Sequence, residues 1–248
     1  MFAIISDIHA NLEALTAVLA DVRQRGVNEL ICLGDVIGYG PDPVECLRQA
    51  SVWPVVVAGD WDRAVVKHDP TQWIDWINRH IEWIQRTISS ASDGEALLST
   101  VASFRAQHSQ LGCQFCHGTP SDVRDYVFPE DIYNQPKLER IACEFDRTLF
   151  AGHTHIPGLF ALSSGGEWEY IEASPGQEYD VREYTKLICN VGSIGQPRDG
   201  DSRASFVLFD GHVIRFHRVD YDMDTTVAKI KDNPDIDDMH GGRLPEGR

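Results

Sequence analysis

The chain has 248 residues, enough for one large domain with a full hydrophobic core. Its 22 basic and 38 acidic residues give a formal net charge of −16, which argues against an extended nucleic-acid-binding surface because a phosphate backbone would be repelled. The N-terminus leads directly into an apolar strand, with no basic leader and no long apolar segment. We therefore expect a cytoplasmic protein without a membrane span; a homo-oligomer is compatible with this composition.

Strands and helices alternate through the first 60 residues. Phe2–Ser6, Leu30–Leu33 and Val55–Ala58 are short apolar runs typical of buried strands. Apolar residues recur at helical spacing from Leu12 to Val22, and Pro43–Gln49 predicts a second, shorter helix. This alternation predicts a parallel sheet covered by helices, and so an α/β fold.

Residues 71–104 have a different pattern, because Trp73, Trp76 and Trp83 share one helical stretch with several isoleucines. We interpret this segment as a small helical cap inserted between the two halves of the sheet. Packing into the core is favoured over a ligand-facing surface for the tryptophans, although the rim of the cap would border a substrate.

The remaining segments predict a second sheet packed on the first. Residues 173–183 are polar and predict a surface loop. We expect a single domain at 1–230. The segment 231–248 is acidic and then rich in Gly and Arg, which predicts a tail that is mobile or docked on a partner. The two-residue gap between Cys113 and Cys116 suits a zinc or redox pair, but no second pair follows, so we read both as apolar strand residues. The expected strands are Gln110–Cys116, Arg147–Ala151, Leu159–Leu162, Trp168–Glu172, Leu187–Asn190, Ala204–Phe209 and Val213–Arg218.

Carboxylates and imidazoles follow the apolar runs at five places. Open α/β sheets bind ligands at the carboxyl ends of their strands, so these side chains are expected to meet at one edge. Within a strand, residues two apart point to the same face, which would let each Asp-x-His or His-x-His pair chelate one ion. The five fragments are Asp7-Ile8-His9, Gly34-Asp35, Gly59-Asp60, His117-Gly118 and Gly152-His153-Thr154-His155.

Mixed imidazole and carboxylate ligands without thiolate favour transition metals over calcium. We expect two divalent ions, manganese first, with iron, zinc, nickel or cobalt as alternatives. Two ions about 3.5–4 Å apart clamp a phosphate and lower the pKa of a bridging water. The pattern thus predicts metal-assisted phosphoester chemistry on a small phosphoester substrate.

These fragments resemble the calcineurin-like metallophosphoesterase superfamily, and in particular its compact bacterial and archaeal phosphodiesterase branch. The similarity extends through Asn190–Asp199, which is close to the branch's Asn-Pro-Gly-Ser-Val-Gly-Gln-Pro-Arg, and spans roughly residues 2–230. The resemblance implies a four-layer αββα sandwich of two mixed sheets. It also implies one metal held by Asp7, His9, Asp35 and His155, and a second, bridged through Asp35, held by Asp60, His117 and His153.

The chain departs from the family pattern at one place, where Asp60 replaces the usual Asn ligand and Trp61 replaces the usual general-acid His. Asp60 can still ligate, but it adds negative charge. Trp61 cannot deliver a proton at neutral pH, so it would act as a plug, as a stacking platform for a substrate, or as a tolerated change. Asp62 is interpreted as support for a histidine or as a helix cap.

Two further residues are candidates for substrate contact. Asn11 could reach a phosphate oxygen or cap the following helix, and Arg198 could contact the site or pair with Asp199 or Asp201. Our hypothesis is a phosphodiesterase in which Asp35, Asp60, Asn11 and Arg198 serve catalysis. The alternatives are a phosphomonoesterase or protein phosphatase of the same superfamily, and a metal-binding scaffold without activity.

Overall fold

The computed structural model describes all residues from Met1 to Arg248 and contains twelve strands and eight α-helices. The strands are β1 Phe2–Ile5, β2 Glu29–Cys32, β3 Val55–Val56, β4 His108–Gln110, β5 Cys113–Phe115, β6 Thr148–Ala151, β7 Gly158–Leu162, β8 Trp168–Glu172, β9 Glu178–Asp180, β10 Lys186–Asn190, β11 Ala204–Phe209 and β12 Val213–Val219. The helices are α1 Leu12–Gln24, α2 Pro43–Ala50, α3 Asp60–Val66, α4 Asp75–Ser90, α5 Gly94–Ala102, α6 Gln135–Ala142, α7 Met223–Lys231 and α8 Asp238–Arg243.

The strands form two mixed sheets of six strands each. The first sheet has the order β3-β2-β1-β11-β12-β9, and β1, β2 and β3 run parallel. The second sheet has the order β4-β5-β6-β10-β7-β8, and β5, β6 and β10 run parallel. Each sheet therefore has three neighbouring parallel strands whose carboxyl ends lie at one edge, and antiparallel strands complete the sheet.

The space between the sheets is filled by phenylalanines. Phe2 packs edge-on against Phe115 and Phe209, and Phe115 stacks on Phe150 at 5.2 Å between ring centroids. Burying one such ring contributes about 1.5–3 kcal/mol. Six helices, α1 to α5 and α7, share a second apolar cluster on the outer face of the first sheet, and α6 covers the outer face of the second sheet. The expected four-layer αββα sandwich is confirmed.

The segment predicted as a helical cap forms α4 and α5. Ile81, Ile84 and Ile88 of α4 are fully buried in the same cluster as α1, and both helices pack against α2 and α3. Of the three tryptophans, Trp83 is buried and Trp73 and Trp76 are half-buried. No helix of the chain combines the length and the apolar character that crossing a bilayer requires.

Two segments differ from the sequence predictions in their backbone. Residues 110–116 form a hairpin rather than one strand, because Leu111 and Gly112 both have positive φ, 53° and 71°, and turn β4 back onto β5. The predicted surface loop 173–183 contains β9, whose Tyr179 is buried and which pairs with β12. A single buried aromatic in a polar segment gives no periodicity, so this edge strand was missed.

The C-terminal segment is packed against its own domain rather than forming the expected tail that is mobile or docked on a partner. Ile236, His240 and Leu244 are each less than 5% exposed and belong to or border the outer apolar cluster. The acidic and glycine-rich composition gave no sign that these three side chains would be buried. They help to pack α8 against α7.

Candidate metal centre

The predicted ligands lie in the loops that follow parallel strands of both sheets. Asp7 and His9 follow β1, Asp35 follows β2, and Asp60 begins α3 just after β3. In the second sheet, His117 follows β5, and the two histidines of the Gly-His-Thr-His stretch follow β6. All seven side chains are buried, so the two sheets bring them together at one shared edge.

The backbone conformation of the loops, rather than alternation within a strand, directs these side chains toward one another. Asp7, His9, Asp35, His153 and His155 all have left-handed φ values between 48° and 69°. Non-glycine residues rarely adopt this region, and each instance costs about 1–3 kcal/mol unless the surroundings impose it. Alternation within a strand therefore does not place these side chains, contrary to the prediction, since β1 and β6 end before the ligands begin.

The ligands fall into two groups. His117 Nε2 lies 3.1 Å from His153 Nδ1 and 3.4 Å from Asp60 Oδ1 in the first group, which Asp35 completes. In the second group, His9 Nε2 lies 3.0 Å from His155 Nε2, and His155 Nε2 lies 3.2 Å from Asp7 Oδ1. His153 and His155 thus belong to different groups and do not chelate one ion together.

A carboxylate oxygen of Asp35 lies between the two groups. Asp35 Oδ2 lies 3.4 Å from His117 Nε2 and 3.7 Å from His9 Nε2. Its other oxygen, Oδ1, accepts a hydrogen bond of 3.0 Å from the backbone N–H of Trp61. Close approach fixes this position, because a β-carbon on Gly59 would lie 1.9 Å from Asp35 Oδ1. Asp35 is consequently held where a carboxylate can bridge two ions.

Hydrogen bonds fix the orientation of the imidazoles. His117 Nδ1–H donates to Leu33 O at 2.9 Å, and His155 Nδ1–H donates to Gln196 O at 2.6 Å. Each bond leaves Nε2 directed into its group, as is usual for metal-ligating histidines. The backbone N–H of His153 also donates to Asp7 Oδ2 at 2.9 Å, which ties the two halves of the site together.

The donor set fits divalent metal ions. Asp7 Oδ1 and Asp60 Oδ1, one in each group, are buried and accept no hydrogen bond within the protein. Leaving a buried carboxylate oxygen unpaired is costly unless a cation satisfies it. With neutral histidines, three carboxylates and two divalent ions carry a single net positive charge. No cysteine belongs to either group, which agrees with a site for harder transition ions.

Burial and the close approach of carboxylates and imidazoles shift the pKa values of the metal-free site. Burial raises the pKa of Asp60, but His117 and His153 outweigh it and lower the pKa to about 2. Burial alone would lower the pKa of His117, yet Asp35 and Asp7 hold that pKa well above its ordinary value. Burial lowers the pKa of His9 to about 4. At neutral pH His9 is therefore ready to ligate, whereas His117 carries a proton that a metal must displace.

We expect metal uptake at neutral pH to release at least one proton, and the affinity for Mn²⁺ to rise by roughly tenfold per pH unit below the raised pKa of His117. The sign follows because the proton and the metal compete for His117 Nε2. In the metal-free protein, the attraction between His117 and the carboxylates stabilises the fold below the unfolded pKa of about 6.5 and is lost as pH rises through the folded pKa. Calorimetric titration with Mn²⁺ in buffers of different ionisation enthalpy measures the proton release; identical heats in all buffers would contradict it.

The substituted pair Asp60 and Trp61 occupies the first turn of α3. Trp61 is 3% exposed, and its indole contacts Tyr39 at 4.7 Å, His80 at 5.6 Å and Trp73 at 6.4 Å between ring centroids. This burial favours a plug over a stacking platform for a substrate. Asp62 takes the helix-cap role, because its carboxylate accepts hydrogen bonds from the backbone N–H groups of Gly59, Val36 and Ile37.

Asn11 and Arg198 have different surroundings. Asn11 is the N-cap of α1: its oxygen accepts from Ala14 N, and its amide donates to Gly195 O. These bonds favour the capping alternative over phosphate contact.

Arg198 forms no ion pair with Asp199 or Asp201, both of which pair instead with Arg218. Its guanidinium lies over the Tyr39 ring, 5.7 Å from the centroid, on the side of the centre where Tyr39 packs against His9.

Sequence reasoning missed three aromatic neighbours of the centre. Tyr126 stacks on His153 with 3.8 Å between ring centroids, and Tyr39 packs on His9 at 4.5 Å. His240 of α8 packs on Tyr39 at 4.9 Å and is buried with neither ring nitrogen hydrogen-bonded. Only Tyr39 had a local signal, since it follows Asp35 in a glycine-flanked turn; the other two lie in segments without a recognisable motif.

The Asn190–Asp199 stretch, which starts at the end of β10 in the second sheet, forms hydrogen bonds to the loops that carry the ligands. The amide of Asn190 donates to Gly152 O at 2.6 Å and to Thr154 Oγ1 at 2.8 Å, which holds the loop that carries both histidines. Ser193 Oγ donates to Asp7 O at 2.8 Å. The motif thus positions the ligand loops of both sheets.

Comparison with known proteins shows the family of this chain. The chain is 34% identical to an uncharacterized protein of Methanocaldococcus jannaschii over 100% of this chain and 98% of that protein. It is similar to the crystal structure of a metallophosphoesterase from Sphaerobacter thermophilus, with 30% identity, a TM-score of 0.80 and coverage of 100% and 99% of the two chains. A hypothetical protein from Pyrococcus horikoshii OT3 shares the fold, with 18% identity, a TM-score of 0.74 and the same coverage of 100% and 99%. Residues 1–212 match the calcineurin-like phosphoesterase superfamily domain, and the chain belongs to that superfamily.

Proposed function

We propose that this chain is a dinuclear metal-dependent phosphodiesterase of the cytoplasm, acting on a small substrate with manganese as its preferred metal. The observation that carries the proposal is the pair of buried ligand groups linked by Asp35 Oδ2. When bound, two divalent ions would polarise a phosphate and supply a hydroxide nucleophile at neutral pH. The protein supplies the fixed ligands and a site shielded from bulk water.

The residues of this chain set what the site can do to a phosphate. Asp35 is held by the Trp61 N–H, so its free oxygen stays between the two groups. Arg198 lies beside Tyr39 without a carboxylate partner, and its guanidinium is available to neutralise a phosphate oxygen in the transition state. No imidazole other than the four ligands contacts either ligand group, because Trp61 fills the position of the usual general acid.

Charge favours diesters over monoesters. A diester carries one negative charge and a monoester close to two at neutral pH. Asp60 reduces the net charge of the loaded centre to a single positive unit, which weakens the attraction for a dianion more than for a monoanion. Without a proton donor at position 61, the substrate must also have a leaving group that departs without protonation.

The test is hydrolysis of bis(4-nitrophenyl) phosphate by metal-stripped protein titrated with Mn²⁺, compared with 4-nitrophenyl phosphate. The proposal expects metal-dependent turnover that is faster on the diester. Faster turnover of the monoester would instead favour a phosphomonoesterase or protein phosphatase of the same superfamily.

A metal-binding scaffold without activity is the second candidate, and the exchanges at Asp60 and Trp61 favour it. The complete set of seven ligands opposes it. Tight binding of two Mn²⁺ ions without turnover on either ester would support the scaffold.

A further inference from the structure

A cavity lies along α3, the helix that begins with Asp60, and it is lined by residues of α3, of α5 and of the loops around Trp73 and Arg124. It has a volume of about 520 Å³ and contains three cationic side chains, Arg63, Lys67 and Arg124, and two aromatic ones, Trp73 and Phe104. Pockets of roughly 300–1,000 Å³ accommodate small organic ligands. The combination of cations and aromatic rings indicates a ligand that is both anionic and aromatic.

The cations of this cavity are not used to pair with carboxylates. Arg63, Lys67 and Arg124 form no salt bridge, although most exposed arginines of this acidic chain do, such as Arg48 with Asp93. Arg124 donates to the neutral Gln72 Oε1 at 3.0 Å. In a protein with 38 acidic residues, three unpaired cations around one cavity form a local site for an anion.

Two segments that line the cavity also carry or contact candidate metal ligands. Arg63 and Lys67 lie on or just after α3, the helix that begins with the ligand Asp60. Arg124 lies two residues before Tyr126, which stacks on the ligand His153. A ligand that reached from the centre into the cavity would therefore stay in contact with the same two loops.

Aromatic contacts connect the same two places. Tyr39 packs on His9, Trp61 packs on Tyr39, and Trp73 lies 6.4 Å from Trp61 between ring centroids. Arg124 lies over the Trp73 ring, 4.6 Å from its centroid, which places a cation directly beside an aromatic wall. Phosphate oxygens and a flat aromatic ring would both find a partner there.

We propose that this cavity binds the nucleotide portion of a phosphodiester substrate, with the base against Trp73 and Phe104 and a second phosphate, which is not the one hydrolysed, on Lys67, Arg63 and Arg124. This inference rests on the proposed function, because it assigns a substrate class to the same centre. It also gives Trp73, from the Trp-rich segment, a role in ligand binding.

The test is calorimetric binding of adenosine 5′-monophosphate to Mn²⁺-loaded protein, compared with inorganic phosphate and with adenosine. We expect the nucleotide to bind at least about tenfold more tightly than either fragment. Lys67→Gln, Arg124→Gln and Trp73→Leu are each expected to weaken nucleotide binding by about tenfold. Arg23→Gln, which removes an exposed, unpaired arginine of α1, is the charge-matched control and should leave the affinity unchanged.

The outcomes separate this inference from the proposed function. Nucleotide affinity equal to that of phosphate, or equal in the three cavity variants and the wild type, overturns the cavity assignment even if the bis-aryl phosphate is hydrolysed. Tight nucleotide binding that the three variants weaken, together with an absence of Mn²⁺-dependent hydrolysis, supports the cavity and overturns the proposed function instead.

Discussion

Asp35→Asn is expected to lower turnover of bis(4-nitrophenyl) phosphate by about 10³-fold or more, and to reduce bound Mn²⁺ below two ions per chain. The reason is geometric: Asp35 Oδ2 lies 3.4 Å from His117 Nε2 of the first group and 3.7 Å from His9 Nε2 of the second, and it is closer to His117 than Asp7 Oδ1 is, at 3.9 Å. An amide NH₂ in its place cannot bridge two cations. Asn can still accept the Trp61 N–H through its remaining oxygen, so the fold should be retained.

The measurement combines kcat at saturating Mn²⁺, metal content and thermal unfolding of the same preparation. Asp146→Asn is the matched control, because Asp146 is exposed and lies before β6, at the opposite end of that strand from the histidines. Full activity and two bound ions in Asp35→Asn, with an unfolding midpoint like that of the control, would contradict the bridging role.

The double exchange Asp60→Asn with Trp61→His is expected to raise turnover by about 10²-fold for diesters with poor leaving groups, and much less for 4-nitrophenyl esters. An imidazole at position 61 would lie beside Asp35 and could protonate the departing oxygen. Replacing the acidic ligand with an amide would also restore one positive charge to the loaded centre. Comparing phenyl and 4-nitrophenyl phosphodiesters measures the effect.

The control must account for the stability lost when Trp61 is replaced. Trp61 is buried, so a smaller side chain leaves a cavity, at a cost below the roughly 3–5 kcal/mol typical of full truncation of a buried tryptophan. Asp60→Asn with Trp61→Phe removes the indole without adding an imidazole and separates the two effects. A gain that appears equally with Phe would rule out proton donation, and a large gain on both esters over a nearly inactive parent would favour the scaffold.

The position of the site could be predicted from the sequence because it depends on a local rule. Apolar runs that end in Asp or His identify strand ends, and parallel strands place those ends at one edge. The seven residues predicted on this basis are the ones that the structure brings together in two groups able to hold a metal ion. The division into two groups came from the resemblance, not from spacing, since alternation within a strand paired His153 with His155 and the left-handed backbone separates them.

The surroundings of the site could not be predicted, because they depend on tertiary contacts. Nothing around Tyr126 or His240 signals that the first stacks on His153 and the second packs on Tyr39 from the C-terminal helix. The turn at Leu111 and Gly112 was concealed within an apolar run. Asn11 was ambiguous, since the same side chain that caps α1 could in principle have contacted a phosphate.

The measurement that tests the central claim most directly is a titration of metal-stripped protein with Mn²⁺, followed together by electron paramagnetic resonance and by turnover of bis(4-nitrophenyl) phosphate. We expect two ions per chain, a spectrum of magnetically coupled manganese, and turnover that grows with the second equivalent because Asp35 lies between both ligand groups. Saturation at one uncoupled ion, or full turnover after the first equivalent, would contradict a two-metal phosphodiesterase.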